Sequence, residues 1–560
     1  MKQLQRFWRL VRPFWTRSPR RFGAMVLLAV IIAMSLSTVW FSVQLNEWNG
    51  KFFNAIQQLD GDTIYSLLGD FIVIVGAFIV VLVYAEWLTK KLVIEWREWM
   101  TEDCLERWLS ADARHYRLQL AGLQPDNPDQ RIAEDIRLLI EESLSLLISF
   151  LRSVLTIASF SSILWTLSGS LSLSVIGISA ELPGYMLWAC VGYTLLATGI
   201  THWIGKPLVR LNFEQQRREA DFRAGMIGIL RNAEAIAGER GESCERARLG
   251  DLFKGVVRNW RALMNKDRNL AFFTVGFGQV TQLVPIFFAL PKFLSGAIQL
   301  GGLMQVRIAF QQVASALGWV IYAYRDLARW SATVDRLSGF EDALEARLPS
   351  PAASTEPARG DAPLLEASVG LRLPSGESLL PALDLKLRAG ELTVVRGASG
   401  IGKSCLLRAL AGFWPHYEGR ILTRGEPPVW VPQRLWFPPA PLAELLSYPK
   451  SSAEHDREAL ADALRSVGLD RLVGLLVDPK PHDWQRTLSG GEQQRLVIAR
   501  MLLSAPSVLL LDETTSALDR DNALRMIELL RDRLGGSAIL LVSHQECVHE
   551  AADRLITAGA

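Results

Sequence analysis

Cysteine is scarce: the 560 residues hold five, at Cys104, Cys190, Cys244, Cys405 and Cys547. Their scatter offers neither the paired spacing of a zinc site nor a disulfide framework, so reduced thiols are expected and no redox or metal role follows from them. An excess of one charge is missing as well. The 60 basic residues stand against 58 acidic ones, a formal net charge of +2, and this balance lacks the concentrated positive field that a nucleic-acid backbone demands. No nucleic-acid partner is expected. Low hydrophobicity is also absent: 49% of the residues are hydrophobic, which excludes disorder and is too apolar for an ordinary soluble enzyme.

What is present falls into two halves. Of the 18 tryptophans, 14 precede residue 341, and so do all the long apolar runs. The remainder reads as soluble α/β sequence, and the Pro-, Ala- and charge-rich stretch between them cannot supply a packed face. The expected organisation is a short interfacial helix over 1–20, a transmembrane domain over 21–340, a connector over 341–362 and an α/β domain over 363–560. Six stretches are long enough to cross a hydrocarbon core that needs roughly 20 apolar residues: 22–46, 65–88, 138–166, 185–205, 270–297 and 303–325, the last two interrupted by polar residues. The polar segments between spans two and three, and between four and five, read as helix throughout.

Basic residues are nearly absent from one side. Segments 47–64 and 167–184 hold Lys51 alone, whereas the segment after the second span carries Lys90, Lys91, Arg97, Arg107, Arg114, Arg117, Arg131 and Arg137. By the positive-inside rule the long segments, the amino terminus and the soluble domain share the cytoplasm. Leu4, Phe7, Trp8, Val11, Phe14 and Trp15 recur at helical spacing among Lys2, Arg6, Arg9 and Arg12, the pattern of an interfacial amphipathic helix. A cleaved signal peptide fits less well, because the following apolar run is long and has no small-residue cleavage pattern after it.

The soluble half carries the chemistry. Gly397, Ala398, Ser399, Gly400, Ile401, Gly402, Lys403 and Ser404 follow a β-rich run and precede a helical one, the context of a phosphate-binding Walker A loop. Its glycines let backbone N–H groups turn onto phosphates, Lys403 reaches the β and γ phosphates, and Ser404 offers a hydroxyl to magnesium. The run Val508 to Leu511 ends in Asp512 and Glu513, a buried parallel strand delivering two carboxylates to its carboxyl end. Asp512 suits magnesium held through water, and Glu513 suits a base that orients or deprotonates the attacking water. Ser489, Gly490 and Gly491 at the start of a polar helix make a second N–H nest for a γ-phosphate; an ordinary helix cap is the plainer account of Ser489.

Leu488 to Arg495 reads LSGGEQQR, and here the chain resembles the ATP-binding cassette superfamily. By that resemblance Gln433 is the Q-loop residue, touching magnesium and the catalytic centre, Ser516 to Asp519 the D-loop with Asp519 near nucleotide, and His544 the switch histidine. A chain with one cassette must then pair, so a homodimer that binds ATP and Mg2+ is expected. Many cassettes stack adenine on an aromatic residue some 25 positions ahead of the Walker A loop; Gly370 to Pro374 reads GLRLP and has none.

Asn127 to Asp135 and Asn232 to Glu242 are similar to motifs of the peroxisomal fatty-acyl transporter subfamily and its bacterial relatives, the YddA-type and SbmA/BacA-related transporters. Ser295 to Gln305, Gly412 to Pro415 and Asp483-Trp484 resemble the YddA type most. The fold implied is a six-helix transmembrane domain of exporter-like architecture fused to a P-loop nucleotide-binding domain. The function implied is an ATP-driven half-transporter of the bacterial inner membrane that moves an amphiphilic or large hydrophilic solute such as cobalamin, peptides or acyl-CoA-like molecules, with import preferred. A lipid or drug exporter and an ATP-gated regulator or channel remain open alternatives. Asn127, Asp129 and Arg131, with Glu234 and Glu239, are the expected coupling residues; a solvated helix face is the plainer account. Glu86, Glu141, Glu142, Arg152 and Arg307 lie in or near the spans and, being costly in lipid, are expected to face a central cavity or one another.

Overall fold

Apolar runs with few internal breakers give long helices, and ten helices precede the cassette in a computed structural model that describes residues 2–110, 112–172, 181–348, 354–356 and 362–559. They are α1 (Lys2–Arg17), α2 (Arg21–Gln58), α3 (Gly61–Trp108), α4 (Arg114–Leu120), α5 (Pro128–Ser168), α6 (Tyr185–Arg231), α7 (Ala233–Gly238), α8 (Glu242–Leu294), α9 (Leu300–Leu317) and α10 (Trp319–Glu345). The chain separates into two units, Met1–Arg107 with Pro125–Leu344 and Trp108–Gln124 with Glu345–Ala560. It leaves the first unit after Arg107, contributes α4 to the second, and returns at Pro125.

In the first unit α2, α3, α5 and α8 are long and apolar enough to cross a membrane. The expected spans 185–205 and 303–325 are helical too, but with a physical difference. Met186 and Cys190 of α6 and Val306, Ala309, Phe310 and Val313 of α9 are buried with Val39, Phe160 and Leu164. A helix face sheltered by neighbours need not be apolar all round, and the signal weakens accordingly. The sixth span is also broken, at Gly318 between α9 and α10. Helix α9 starts flush against α2: a Cβ at Gly301 would collide with the Gly50 carbonyl, and Asn54 and Gln57 accept the otherwise orphaned N–H groups of Gly301 and Leu300 at 2.7 and 2.8 Å.

Helix α1 buries Val11 and Phe14 and leaves Leu4 and Trp8 exposed, with Phe14 stacked on Trp96 at 5.2 Å between ring centroids. Two of its basic residues do not point to lipid: Arg6 pairs with Asp335 and Arg9 with Asp342 of α10, the latter at 2.5 Å. The polar segment ahead of α5 is not one continuous helix, since α3 ends at Trp108 and α4 intervenes. The connector also differs from expectation, because its first five residues complete α10 and Ser354–Glu356 forms a strand; 349–353 and 357–361 lie outside the described residues, as do 173–180 of the segment 167–184.

The second unit holds two sheets. The first is five-stranded and parallel, in the order Arg554–Thr557, Leu392–Arg396, Ala538–Val542, Val508–Asp512, Val429–Val431. Strands Ala538–Val542 and Val508–Asp512 are buried at every position, as their unbroken apolar sequences require of a sheet covered on both faces. The second sheet pairs Leu365–Arg372 antiparallel with both Ser378–Leu387 and Tyr417–Arg424, with Ser354–Glu356 added parallel at the edge. Leu406, Leu407, Leu510 and Leu540 join the two layers in one core, each fully buried leucine contributing about 1.5–3 kcal/mol relative to exposure.

Candidate nucleotide site

Register builds the site. Val395, Val542 and Asp512 occupy one rung of the parallel sheet, so three neighbouring strands about 4.8 Å apart deliver their next residues to the same edge. Those residues are the Gly397–Ser404 loop, Ser543-His544 and Glu513. Val431 pairs with Leu511 on the outer side, which brings Gln433, two residues on, to that edge as well. This is where an open α/β sheet places a ligand.

The loop turns through Gly400 and Gly402 at φ of +83° and +103°. A Cβ at Gly402 would also stand 2.9 Å from Leu379, so both conformation and space select glycine. Lys403 is buried and folded back, its Nζ donating to the carbonyls of Gly397 and Ala398 at 2.8 and 2.9 Å. Ser399 and Ile401 complete the turn. Burial pushes the Asp512 carboxyl above its ordinary value against the opposing hydrogen bond to Ser404, and Glu513 adds to the rise. A buried carboxylate, a hydroxyl and the nearby Gln433 amide form an oxygen set suited to a hard divalent cation such as Mg2+.

The three residues expected to be catalytic converge on one carboxylate. Gln433 Nε2 donates to Glu513 Oε2 at 2.8 Å, and His544 Nε2 stands 3.5 Å from Glu513 Oε1. Glu513 has a φ of +52°, uncommon for a side-chain-bearing residue and a mark of strain at functional turns, while its N–H donates to Val542 at 3.0 Å.

Ser489 stands at the N-cap of helix Gly490–Ser504 and Glu492 reaches back to it: the N–H and hydroxyl of Ser489 both donate to Glu492 Oε2, at 3.0 and 2.9 Å. The Ser489 N–H, with Arg471 and the Ser489 hydroxyl, holds the Glu492 carboxyl down at about 2 despite its partial burial. Gly491 packs on the D-loop, where a Cβ would lie 3.2 Å from the Ala517 carbonyl. Among the described residues no hydrogen bond joins Ser489, Gly490 or Gly491 to residues 397–404. Asp519, expected near nucleotide, spends its carboxylate on the N-cap of helix Arg520–Arg533, accepting from the Asn522 N–H at 2.8 Å.

Two features escaped sequence reading. Buried Gln494 ties the signature helix to the D-loop, its Nε2 donating to Ser516 Oγ at 3.1 Å and its Oε1 accepting from the Ala517 N–H at 2.9 Å. Helix α4 seats Tyr116 against Phe413 and Trp430 with centroids 5.7 and 6.4 Å apart, and Arg408 lies 5.6 Å from the Trp430 ring. Leu118 is fully buried. The aromatic-apolar spacing of α4 was the available signal.

Asn127 and Asp129 are in the first unit. Arg131 is no solvated residue: it is buried and pairs with Asp135, which also accepts Arg336 Nη2 at 2.7 Å. Glu234 lies in the first turn of α7 and Glu239 caps its carboxyl end, and the side chains of α7 are all at least partly exposed. Of the span charges, Glu86 pairs with Lys90 at 2.7 Å, Glu141 with Arg137 at 3.0 Å, and Glu142 stands 3.5 Å from Arg329. They pair with neighbouring bases and not with one another. Arg152 and Arg307 have no ion-pair partner among the described residues.

Residues 18–294 match the family described as ABC transporter transmembrane region 2, and residues 380–516 match the ABC transporter family. The chain is 37% identical to the inner membrane ABC transporter ATP-binding protein YddA of Escherichia coli (strain K12), over 98% of this chain and 97% of YddA. It is 27% identical to the lysosomal cobalamin transporter ABCD4 of Homo sapiens, over 82% of this chain and 79% of the relative. A bacterial Atm1-family ABC exporter solved with ATP bound shares the fold at a TM-score of 0.70 and 17% identity, over 96% of this chain and 93% of that one.

Proposed function

The chain belongs to the ATP-binding cassette transporters, and on that premise we propose that two copies form the working unit, each closing its Ser489 signature over nucleotide held on the other's Gly397–Ser404 loop. The protein is an ATP-driven transporter whose hydrolysis is coupled to transport. The observation that carries the pairing is the split within one cassette: the loop, Asp512, Glu513, Gln433 and His544 share one sheet edge, while Ser489 is engaged with Glu492.

In this arrangement Glu513 orients and deprotonates the attacking water, and the Gln433 and His544 contacts hold its two oxygens apart from other partners. Lys403 swings from the loop carbonyls to the phosphates. Ser404, Gln433 and Asp512 would hold Mg2+, which when bound neutralises charge on the β and γ phosphates. Closure of the cassettes then drives the spans between two openings, through α4 and through the turns around Asn127 to Arg131 and Glu234 to Glu239.

We place the protein in a bacterial inner membrane, with the amino terminus and cassette in the cytoplasm, as the basic-residue asymmetry and the inner-membrane relative support. Import of an amphiphilic or large hydrophilic solute is the cargo reading, with cobalamin supported by the name of the human relative. The test is uptake into proteoliposomes of cobalamin, peptides or acyl-CoAs. ATP-dependent accumulation that Glu513→Gln abolishes is the expected result; dissipation of a preset gradient without accumulation identifies a channel instead.

A further inference from the structure

A groove of about 580 Å³ lies between α3 and α5 in the first unit. Its charge is unequal: Lys90, Arg97, Arg137 and Arg152 line it against Glu86 and Glu141. The two acids are already used, since Glu86 pairs with Lys90 at 2.7 Å and Glu141 with Arg137 at 3.0 Å. Arg97 donates one Nη to the Ala133 carbonyl at 3.1 Å, a bond that leaves its charge uncompensated. Arg152 has neither an ion pair nor a hydrogen bond among the described residues, and it is exposed to the groove.

Depth makes Arg152 significant. It stands 15 residues beyond Arg137, roughly 22 Å along the helix, inside the most apolar stretch of α5. An uncompensated guanidinium there is expensive unless it meets water or an anion. The same groove is walled by Val93, Ile94 and Ile148, so an anion bound at Arg152 would carry its apolar part against those side chains. Two free positive charges beside an apolar wall complement a negatively charged head on an apolar chain, and repel a cationic one.

We propose that this groove binds the anionic head group of an amphiphile, with Arg152 as its principal counter-ion and Arg97 as the second. This rests on the transporter reading above. The head group belongs either to the cargo or to a bilayer phospholipid, and the same experiment separates the two.

The purified full-length protein in phosphatidylcholine nanodiscs is titrated with dodecyl phosphate and with dodecyltrimethylammonium while ATP hydrolysis is followed. Dodecyl phosphate is expected to stimulate hydrolysis and the cation to leave it unstimulated. Arg152→Gln is expected to raise the half-stimulating concentration about tenfold or more, the worth of a charge-assisted hydrogen bond, and Arg152→Lys to recover most of that loss. Equal responses to the two amphiphiles, or an unchanged half-stimulating concentration in a folded Arg152→Gln protein, would overturn the proposal. ATP-dependent accumulation of radiolabelled dodecyl phosphate in vesicles identifies cargo. Arg152-dependent stimulation by phosphatidylglycerol without accumulation identifies a bilayer lipid; both support the site. Hydrolysis abolished by Glu513→Gln yet indifferent to both amphiphiles overturns the groove alone, whereas ATP-dependent dissipation of a preset solute gradient in proteoliposomes, with no accumulation of any solute, overturns the transporter reading.

Discussion

Gln433 donates its amide to Glu513 at 2.8 Å, joining the loop after strand Val429–Val431 to the carboxylate at the end of Val508–Asp512. The bond fixes the direction in which the Glu513 carboxylate is aimed. Glu513→Gln removes the base while keeping the shape, so phosphate release is expected to fall by about 10²–10⁴-fold, the usual contribution of general base catalysis, with ATP still bound. Retained turnover in a phosphate-release assay would assign the base elsewhere.

Gln494 is predicted to matter for stability as well as rate. It is buried and bridges Ser516 and Ala517, so Gln494→Ala strands partners inside the cassette at a cost of about 1–3 kcal/mol. A lowered unfolding midpoint, together with reduced ATP hydrolysis, is the expected outcome in a thermal melt and an activity assay of the same preparation.

Tyr116 packs on Phe413 and Trp430, each aromatic pair contributing about 0.5–1.5 kcal/mol beyond its burial. Tyr116→Ala is expected to leave ATP hydrolysis running while solute accumulation falls. Tyr116→Phe keeps the ring and is expected to transport nearly as the parent does. Equal loss of both activities in the alanine variant would make α4 a folding element only.

The pH response follows from Asp512. Burial raises its carboxyl above the ordinary value, so the protonated form persists to higher pH than in an exposed aspartate. Cation binding needs the ionised form. Affinity for magnesium nucleotide is therefore expected to rise with pH through the acid range and to level off once pH exceeds the raised value. Asp512→Asn should flatten that slope in nucleotide-binding titrations from acid to neutral pH.

Much of the nucleotide site was legible because its parts are contiguous: the Gly397–Ser404 loop and the Asp512-Glu513 pair each carry their meaning in a few residues. What was hidden depends on distant partners. Arg131, expected at a coupling turn, gives no sign of its burial until Arg336, far along the chain, meets the same Asp135. Gln494 is hidden in the sequence because no local pattern announces that its amide faces Ala517, 23 residues away. In the first unit the weaker spans are weak because Met186, Cys190 and Phe310 hide from lipid among neighbours, and burial by protein relaxes the composition that lipid enforces.

The pairing of two copies is tested most directly by loading lipid nanodiscs with one or with two copies of the protein and measuring ATP hydrolysis per chain. Discs holding two copies are expected to hydrolyse ATP and discs holding one to be nearly silent. Full-rate hydrolysis by single copies would contradict the account.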